Sequence, residues 1–426
     1  MKFYRKNIHS WSKLNQVNTT VVYPKTNEEI IDIFKDAKKN GKKISIMGHG
    51  CSHGDLFFFD NQNIVVNTCN FNNIFNFDKS REFIKVESGA SILKVNNFLY
   101  NNKFTINCIP SNYEITIGGA VSNNVFGKDS HLKGLFGNNL LEIIYINHKL
   151  EILRASSQQE MADIISTIGL LGFILNVTLR VEKLKSNILL KKNYYYKSID
   201  SFLDNYKQDK LLEKDFHTIK VNQFKYNYDV FVETYMFSKN YDKKYKYHDI
   251  YKFKTFFLFK KEIRINKFLY KIIKNYILIL CSLLPMRIFW KILNLIGFYY
   301  FKKNNNKKIQ SVHIMNLLHN NNFSDHNILF KRYGFYSFQI MIKLNDSRIM
   351  IKKYFDLAKK YKCESYLSTI KFLPKRNDFI YDYDKHIAIE VYTPRSLMNR
   401  RQNEFLEKII NLIIENNNQI IISKDN

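Results

Sequence analysis

The residues best suited to chemistry in this sequence are glycines gathered where strands end. The first cluster, G-H-G-C-S-H-G-D, runs from Gly48 to Asp55 and directly follows the apolar run 43–47. A turn this rich in glycine lets backbone amides converge on an anion, and Ser52 adds a hydroxyl donor. The spacing is neither that of a Walker phosphate loop nor that of a G-x-G-x-x-G turn opening a helix. Alone, the cluster fits either a phosphate-binding loop or an ordinary surface turn.

Two more glycine clusters follow in the first half of the chain. The second begins P-S-N-Y-E-I-T-I-G-G-A at Pro110 and continues through a run of polar residues and glycines to Lys128. The third is a G-x-x-G-F-I segment that starts at Gly169. Because each cluster lies next to an apolar run, the three loops are predicted to sit at strand ends.

The sequence patterns predict that these loops connect alternating strands and helices. Strands are predicted over 21–23, 43–47, 64–66, 83–87 and 175–181, a hairpin over 141–153, and helices over 90–104 and 159–166. Thr26 and Glu29 form a capping box for another helix, which Gly41 ends. In the second half, strands are predicted over 338–342, 364–373, 386–391 and 420–423, and a helix over 401–416. The composition changes near Lys183, where glycine becomes rare and tyrosine and lysine abundant.

The order of the three clusters resembles the FAD-binding domain of the vanillyl-alcohol-oxidase, or PCMH-type, family of oxidoreductases. The run F-G-K-D-S-H-L-K-G-L-F-G-N at 126–138 resembles the decaprenylphosphoryl-ribose oxidase branch of that family. G-F-Y-S-F-Q at 334–339 and I-K-F at 370–372 extend the similarity into the second half. The resemblance spans nearly the whole chain and is patchy between Lys185 and Lys331.

The resemblance implies an α+β fold in two parts. A two-subdomain PCMH-type FAD-binding domain is expected over residues 1–184. An α+β substrate, or cap, domain with an antiparallel sheet is expected over 185–418. Residues 419–426 are expected to start a C-terminal return to the FAD domain. The family continues for several dozen residues beyond this point, so the chain is expected to be truncated there.

The resemblance also implies FAD as cofactor, together with its contacts. The glycine-rich loop would hold the pyrophosphate, and the later clusters would line the flavin. The residues implied are Gly48, Gly50, Cys51, Ser52, His53, Gly54, Pro110, Gly118, Gly119, Asn124, Gly127, Gly172 and Ile174. Relatives that attach FAD covalently through this loop have a histidine where this chain has Cys51, so FAD is expected to be non-covalent. For His53, a solvated loop histidine is the alternative interpretation.

Four polar residues are implied on the substrate side, namely Lys128, Gln339, Lys371 and Lys424. A lysine binds a phosphate oxygen, and a buried lysine with a lowered pKa can assist removal of a hydroxyl proton. For Gln339, a strand residue satisfied by its neighbours is the alternative. Phe126 replaces a histidine of the ribose-oxidase branch and Ala388 replaces a cysteine, so the sugar side of the site differs here.

The implied activity is FAD-dependent oxidation of a secondary hydroxyl on a polyprenyl-phosphate-linked pentose. The keto-sugar would be an intermediate of epimerisation in cell-envelope pentose synthesis, completed by an NAD(P)-dependent short-chain reductase partner. One alternative is a soluble sugar-lactone or alditol oxidase that uses oxygen. Another is a catalytically inactive flavin-binding partner subunit, which the change at Phe126 and the missing C-terminal end favour.

The composition of the chain restricts which classes of binding partner are expected. The formal charge of +28 favours contact with a polyanion, or else reflects lysines scattered over a solvated surface. No zinc-ligand pattern or RNA-binding aromatic-glycine signature accompanies it, so no nucleic-acid partner is predicted. The five cysteines form no C-x-x-C pair, which predicts neither a disulfide framework nor a metal site. The start lacks an apolar signal segment, so a cytoplasmic protein is expected.

The apolar stretch from Tyr276 to Tyr300 calls for comparison with a membrane span. Pro285, Arg287 and Lys291 interrupt it, so no transmembrane helix is predicted. Lysines flank it, and it could lie in the interface of an anionic membrane at the inner face. The alternative is a pair of core helices in the second domain.

Overall fold

A computed structural model describes most of the chain. The described residues are 3–13, 15–54, 62–239, 252–253, 263–264, 272, 286–303, 310–314, 334–365, 367–373, 376–378, 381–383, 386–394, 399–416 and 419–420. Lys424, implied on the substrate side, lies outside the described residues, as do positions 421–423 of the last predicted strand.

The first sheet has four strands and carries one helix. Its elements are β1 (Phe3–His9), β2 (Gln16–Val22), α1 (Asn27–Lys39), β3 (Ile44–Met47) and β4 (Ile64–Asn67). The strand order is β1–β2–β4–β3, with β1 antiparallel to β2 and the other pairs parallel. As predicted, Thr26 caps α1 and accepts a hydrogen bond from the Glu29 amide at 3.2 Å. Ile30 and Ile33 of α1 belong to the apolar core on this sheet.

The second sheet is antiparallel and centres on a long strand. Its elements are β5 (Ile74–Asp78), β6 (Phe83–Glu87), α2 (Ile92–Asn101), β7 (Phe104–Ile106), α3 (Ile117–Ser122), α4 (Ser130–Lys133), β8 (Leu140–Asn147), β9 (Ile152–Ala155), α5 (Gln158–Ala162) and β10 (Gly172–Lys183). The order is β5–β6–β10–β8–β9, and β7 also pairs with β10. Val95 and Leu99 of α2 pack with Ile117 of α3 in the core under this sheet.

An eight-stranded antiparallel sheet dominates the second half. Its strands and associated helices are β11 (Ile188–Tyr196), α6 (Ile199–Asn205), β12 (Phe216–Val221), β13 (Val230–Phe237), α7 (Met286–Lys303), β16 (Gln310–His313), β17 (Phe335–Lys343), α8 (Ser347–Lys360), β18 (Leu367–Leu373), β21 (His386–Pro394), α9 (Asn399–Glu415) and β22 (Gln419–Ile420). The order is β16–β11–β13–β12–β18–β21–β17–β22. Two short hairpins accompany it, β14 (Lys252–Phe253) with β15 (Ile263–Arg264) and β19 (Arg376–Asp378) with β20 (Tyr381–Tyr383).

The two faces of this sheet have different partners, because successive side chains on a strand point to opposite faces. One face, which includes Ile219 and Ile389, packs with residues of α6, α8 and α9 in a core of its own. From the other face, Phe216, Met341 and Ala388 join the core beneath β6 and β10. The second face therefore lies against the first half of the chain and carries the side chains that reach the site.

The expected mixture of helices and antiparallel sheets is confirmed. The predicted domain boundary at residue 184 falls between β10 and β11 and remains a prediction. The helix predicted over 159–166 was too long. It ends at Ala162, and Ser166 and Ile168 then adopt positive φ angles of 65° and 59°, which a right-handed helix does not allow. Among the described helices, none combines the length and apolar character needed to cross a bilayer.

Candidate functional site

An open cleft, about 1430 Å³ when the solvent space at its mouth is included, lies where the glycine-rich loops face the eight-stranded sheet. Its lining comes from the loop after β3, from the segment containing Pro110, from the residues around Gly172 and from β17, β18 and β21. Residues far apart in sequence thus converge on one space.

The loop after β3 forms one wall of the cleft. Gly48, Gly50, Cys51, Ser52 and His53 all line it, and Gly54 lies just outside the lining. Gly50 has a φ of +68°, which favours glycine, although a Cβ there would meet nothing within 4 Å. The loop is tied down because the Ser52 carbonyl accepts a hydrogen bond from the Trp11 amide at 2.8 Å.

The segment that contains Thr116 forms a second wall of the cleft, and it approaches the loop closely at Gly48. A Cβ at Gly48 would lie 2.3 Å from the Thr116 hydroxyl oxygen. That oxygen already accepts a hydrogen bond from the Gly119 amide at 3.2 Å, and it cannot move without uncapping α3. A side chain at Gly48 would therefore push apart the two walls predicted to hold the cofactor.

Two hydroxyls in the cleft lining are buried without a partner among the described residues. They are the Ser88 and Thr68 hydroxyl oxygens. An unsatisfied buried hydroxyl costs about 1–3 kcal/mol, and such groups in a native protein call for an explanation. A polar ligand in the cleft would satisfy both, and the many polar edges of FAD fit this requirement.

The remaining residues implied for FAD divide into two groups. Pro110, Gly118, Gly119, Gly172 and Ile174 line the cleft. Asn124 and Gly127 lie outside the lining, and their contact with FAD stays a prediction. The Asn124 side-chain oxygen accepts a hydrogen bond from the Gly137 amide at 2.9 Å, and the Gly127 amide donates to the Ser130 hydroxyl at 2.7 Å. Both residues therefore stabilise the cleft wall through hydrogen bonds to neighbouring backbone and side-chain groups.

His53 joins the loop to the eight-stranded sheet. Its Nδ1 lies 2.7 Å from the Ser337 hydroxyl oxygen of β17. Its ring stacks on Trp11 at a centroid distance of 4.7 Å and lies 5.4 Å from the Tyr392 ring. His53 is buried, so the alternative of a solvated loop histidine was wrong.

Cys51 lines the cleft as a neutral thiol. Burial raises the pKa of the Cys51 thiol to about 11. The thiolate is the nucleophilic form of cysteine, and it is scarce at neutral pH when the pKa is that high. This protonation state agrees with the expectation that FAD binds without a covalent bond to the loop.

Polar residues of the eight-stranded sheet form the opposite wall. The strand register places Lys220, Thr369, Glu390 and Gln339 side by side on neighbouring strands. Glu390 and Gln339 line the cleft. The Tyr392 hydroxyl donates to Glu390 Oε1 at 2.7 Å, which fixes the carboxylate.

Lys371 stands beside this row and also lines the cleft. Its Nζ lies 3.6 Å from Glu390 Oε2 and 4.6 Å from the centre of the Phe126 ring. The ring that replaces a histidine of the ribose-oxidase branch therefore supports a cation–π contact. Phe126 belongs to the cleft lining as well.

Lys128 lies outside the cleft lining, and its expected role on the substrate side stays a prediction. It is buried, and burial lowers its pKa to about 8, with Glu233 acting in the opposite direction. Burial also opposes the ionised form of Glu233, but Lys220 and Lys191 outweigh it and hold the Glu233 pKa at about 2. Lys128 and Lys371 influence each other electrostatically, so Lys128 belongs to a charged layer beside the cleft wall.

Sequence reasoning missed several lining residues. Glu390 lies on the strand predicted over 386–391, opposite Gln339, and its alternation with the apolar Ile389 and Val391 was a usable signal. Tyr392 follows two residues later on the same face. Thr68 and Ser88 follow strands directly, and nothing in their sequence surroundings distinguishes them from other hydroxyl residues.

Comparison with known proteins agrees with this geometry. The family described as the FAD binding domain matches residues 19–156. The chain is 25% identical over 165 residues to D-arabinono-1,4-lactone oxidase of Candida glabrata, which covers 37% of this chain and 31% of that protein. It is 23% identical over 184 residues to decaprenylphosphoryl-beta-D-ribose oxidase of Mycolicibacterium smegmatis, covering 41% and 39%. L-gulonolactone oxidase of Scyliorhinus torazame is 24% identical over 160 residues, covering 37% and 36%.

These matches span well under half of each relative's own length. The matched domain contains the loop after β3 and the segment from Pro110 to Gly119, which line the cleft. Residues 19–156 thus form an FAD-binding domain with FAD as its cofactor, and the chain is similar to oxidoreductases of the vanillyl-alcohol-oxidase, or PCMH-type, family.

Proposed function

We propose that this protein oxidises a secondary hydroxyl of a polyprenyl-phosphate-linked pentose, with FAD held non-covalently in the cleft. One observation carries the proposal. The glycine-rich wall of an FAD-binding domain faces a wall with a lysine–carboxylate pair, Lys371 and Glu390, across one cleft. A cofactor and an alcohol bound on opposite walls would lie next to each other.

The glycine-rich wall would hold FAD through backbone groups and two hydroxyls. Backbone amides from Gly48 to His53 would bind the pyrophosphate, since a glycine-rich turn leaves them accessible to an anion. The hydroxyls of Thr68 and Ser88 would donate to polar atoms of the cofactor. FAD, when bound, supplies the acceptor for a hydride from the alcohol carbon.

The opposite wall would position the hydroxyl and take its proton. Oxidation of a secondary alcohol to a ketone removes a hydride from carbon and a proton from oxygen. Lys371 would bind the hydroxyl oxygen as a cation, and Gln339 would bind a neighbouring hydroxyl. Glu390, held by the Tyr392 hydroxyl at 2.7 Å, would accept the proton. The expected contribution of Lys424 as a base stays a prediction from the resemblance.

The charges beside the cleft favour an anionic substrate. Lys128, Lys191, Lys220 and Lys371 stand near three carboxylates, Glu233, Glu390 and Asp129. The remaining positive charge would attract a phosphate more strongly than a neutral sugar, because these lysine side chains are mostly buried. The keto product would then pass to a separate NAD(P)-dependent reductase that completes an epimerisation.

A second candidate is oxidation of a neutral sugar lactone with oxygen as acceptor. It is favoured by the similarity to D-arabinono-1,4-lactone oxidase and L-gulonolactone oxidase. The two candidates differ in the role of the lysines beside the cleft. A polyprenyl-phosphate-linked sugar has a phosphate that these lysines could bind, and a lactone has none.

Anaerobic reduction of the flavin separates the two candidates. The purified protein with bound FAD is mixed with a polyprenyl-phosphoryl ribose or with D-arabinono-1,4-lactone, and the loss of flavin absorbance is followed. Faster bleaching by the lipid-linked sugar supports the first proposal, and faster bleaching by the lactone contradicts it. Lys371→Met should slow bleaching by the phosphorylated substrate, whereas Lys352→Met, at an ion pair with Asp200 elsewhere, should not.

A further inference from the structure

Helix α7 presents an apolar stripe to solvent. Ile288, Ile292, Leu295 and Tyr299 are each between 42% and 69% exposed. Their spacing of four, three and four residues puts all four on one side of an α-helix. Single exposed apolar residues are ordinary on protein surfaces, but a continuous stripe marks an interaction site.

The helix is fixed to the protein through a different side. Phe298 is buried, and α7 contacts β11, the strand next to the edge strand β16 of the large sheet. About 27 Å of helix, at 1.5 Å for each of its 18 residues, is thereby held with the stripe turned outward. The stripe is therefore a surface feature of a helix that is anchored to the fold.

Positive charge is concentrated in the stretch of sequence that contains α7. From residue 263 to residue 324 the sequence has ten Lys or Arg residues and no Asp or Glu. This segment of 62 residues supplies 10 of the 28 net positive charges of the 426-residue chain. On α7 itself, Lys291, Lys302 and Lys303 are exposed. A surface that binds here must accept both apolar side chains and cations.

We propose that α7 lies flat on an anionic lipid surface, with its stripe in the acyl boundary and its lysines at the headgroups. An amphipathic helix with a cationic border binds such an interface through apolar burial and attraction to anionic lipid together. A second copy of this chain fits less well, because two segments of equal positive charge would repel each other. The inference rests on α7 alone and does not depend on which alcohol the cleft oxidises.

Co-sedimentation with vesicles tests the proposal. The full-length protein is mixed with vesicles of phosphatidylcholine alone or of phosphatidylcholine with phosphatidylglycerol, neither of which contains a sugar substrate. Binding is expected to the anionic vesicles and to weaken as salt is raised. Ile292→Glu with Leu295→Glu should weaken binding more than tenfold. Lys302→Ala with Lys303→Ala should weaken it about 25-fold, at about fivefold for each lysine.

A matched control separates the stripe from apolar surface in general. Ile349→Glu with Ile414→Glu changes two exposed isoleucines on α8 and α9 and should leave vesicle binding unchanged. Circular dichroism and uptake of FAD show that each variant is folded. The lysine variant tests the proposal even if the stripe variant does not fold.

Three results would overturn the proposal. The first is wild-type protein that does not sediment with anionic vesicles. The second is a folded stripe variant that binds them as well as the wild type. The third is a wild-type dimer in size-exclusion chromatography that the stripe variant loses while its vesicle binding stays intact.

Discussion

The Nδ1 atom of His53 and the hydroxyl oxygen of Ser337 lie 2.7 Å apart, although 284 residues separate them in sequence. His53 belongs to the loop that forms the glycine-rich wall of the cleft, and Ser337 lies two residues before Gln339 on β17. This hydrogen bond therefore connects the two walls of the cleft. It sets the separation between the proposed cofactor and the proposed substrate groups.

Removing the Ser337 hydroxyl should weaken both the fold and the cofactor site. Ser337→Ala is expected to lower the free energy of unfolding by about 1 kcal/mol, because His53 loses a buried hydrogen-bond partner. The dissociation constant of FAD should rise about fivefold. Ser347→Ala removes another buried hydroxyl, which donates to the Leu344 carbonyl at 2.6 Å far from the cleft. It should cost similar stability with no change in FAD affinity. Equal FAD affinity in both variants would contradict the role of His53.

Removing the Ser88 hydroxyl should have the opposite effect on the FAD-free protein. Its oxygen is buried without a partner among the described residues, so Ser88→Ala removes an unsatisfied polar atom. The FAD-free variant should be as stable as the wild type or more stable, while FAD binds about two- to tenfold more weakly. Urea unfolding and a fluorescence titration with FAD measure the two effects. A destabilised FAD-free variant with unchanged FAD affinity would show that Ser88 does not face the cofactor.

The lysine–carboxylate pair should control the rate of flavin reduction and not the binding of FAD. Glu390→Gln is expected to slow reduction about 10²- to 10⁴-fold, because the proposed proton acceptor is lost. Lys371→Met should slow it about 10²- to 10³-fold through loss of the cation at the reacting oxygen. Tyr392→Phe removes the hydroxyl that donates to Glu390 and should slow reduction about tenfold. Stopped-flow absorbance measures each rate. A Glu390→Gln variant that reduces its flavin at the wild-type rate would require another base.

Two histidines should make the fold less stable in mild acid. The rings of His131 and His217 have centroids 4.0 Å apart. Burial lowers the pKa of both below the ordinary 6.5, and His131 and Lys371 lower that of His217 further. The unfolded chain takes up these protons near pH 6.5, whereas the folded chain takes them up only at lower pH. The free energy of unfolding should therefore fall as the pH drops below that value, by up to about 1.4 kcal/mol per pH unit for each histidine.

His217→Phe tests this pH dependence, because the phenyl ring can pack against Phe372, which lies 6.0 Å from the imidazole. Between about pH 7.5 and about pH 5.5, the variant should lose about 1 kcal/mol less stability than the wild type in urea unfolding. His148→Phe changes an exposed histidine and should leave the dependence unchanged. Burial raises the pKa of Asp129 to about 6, which has the opposite effect on stability but cancels between variants. Identical pH profiles for His217→Phe and the wild type would contradict the assignment.

Local sequence signals were good predictors of the helices and strands that form the cleft. The Thr26 cap located α1, and the apolar run before Gly48 located β3. The predicted strand over 83–87 matches β6 at both ends. These features depend on neighbouring residues only, since capping and alternation act within a few positions. The glycine loop also follows its strand directly, so its place at the cleft could be predicted.

Features that depend on long-range packing could not be predicted. The pairing of Lys371 with Glu390 follows from the register of β18 against β21, which no local pattern specifies. The burial of Lys128 depends on its surroundings, which include Glu233 on a strand about 100 residues later. Gln339 and Lys371 were found only through resemblance to a family, because a glutamine or a lysine on a strand carries no signal of its own.

The central claim is that this chain binds FAD without a covalent bond in the cleft between the glycine-rich loops and the eight-stranded sheet. The most direct measurement is a visible absorption spectrum of the purified protein, recorded before and after acid precipitation. We predict flavin absorption bands in the native protein and complete release of the flavin into the supernatant. A colourless protein that takes up no added FAD would contradict the claim, and so would flavin that stays with the precipitate.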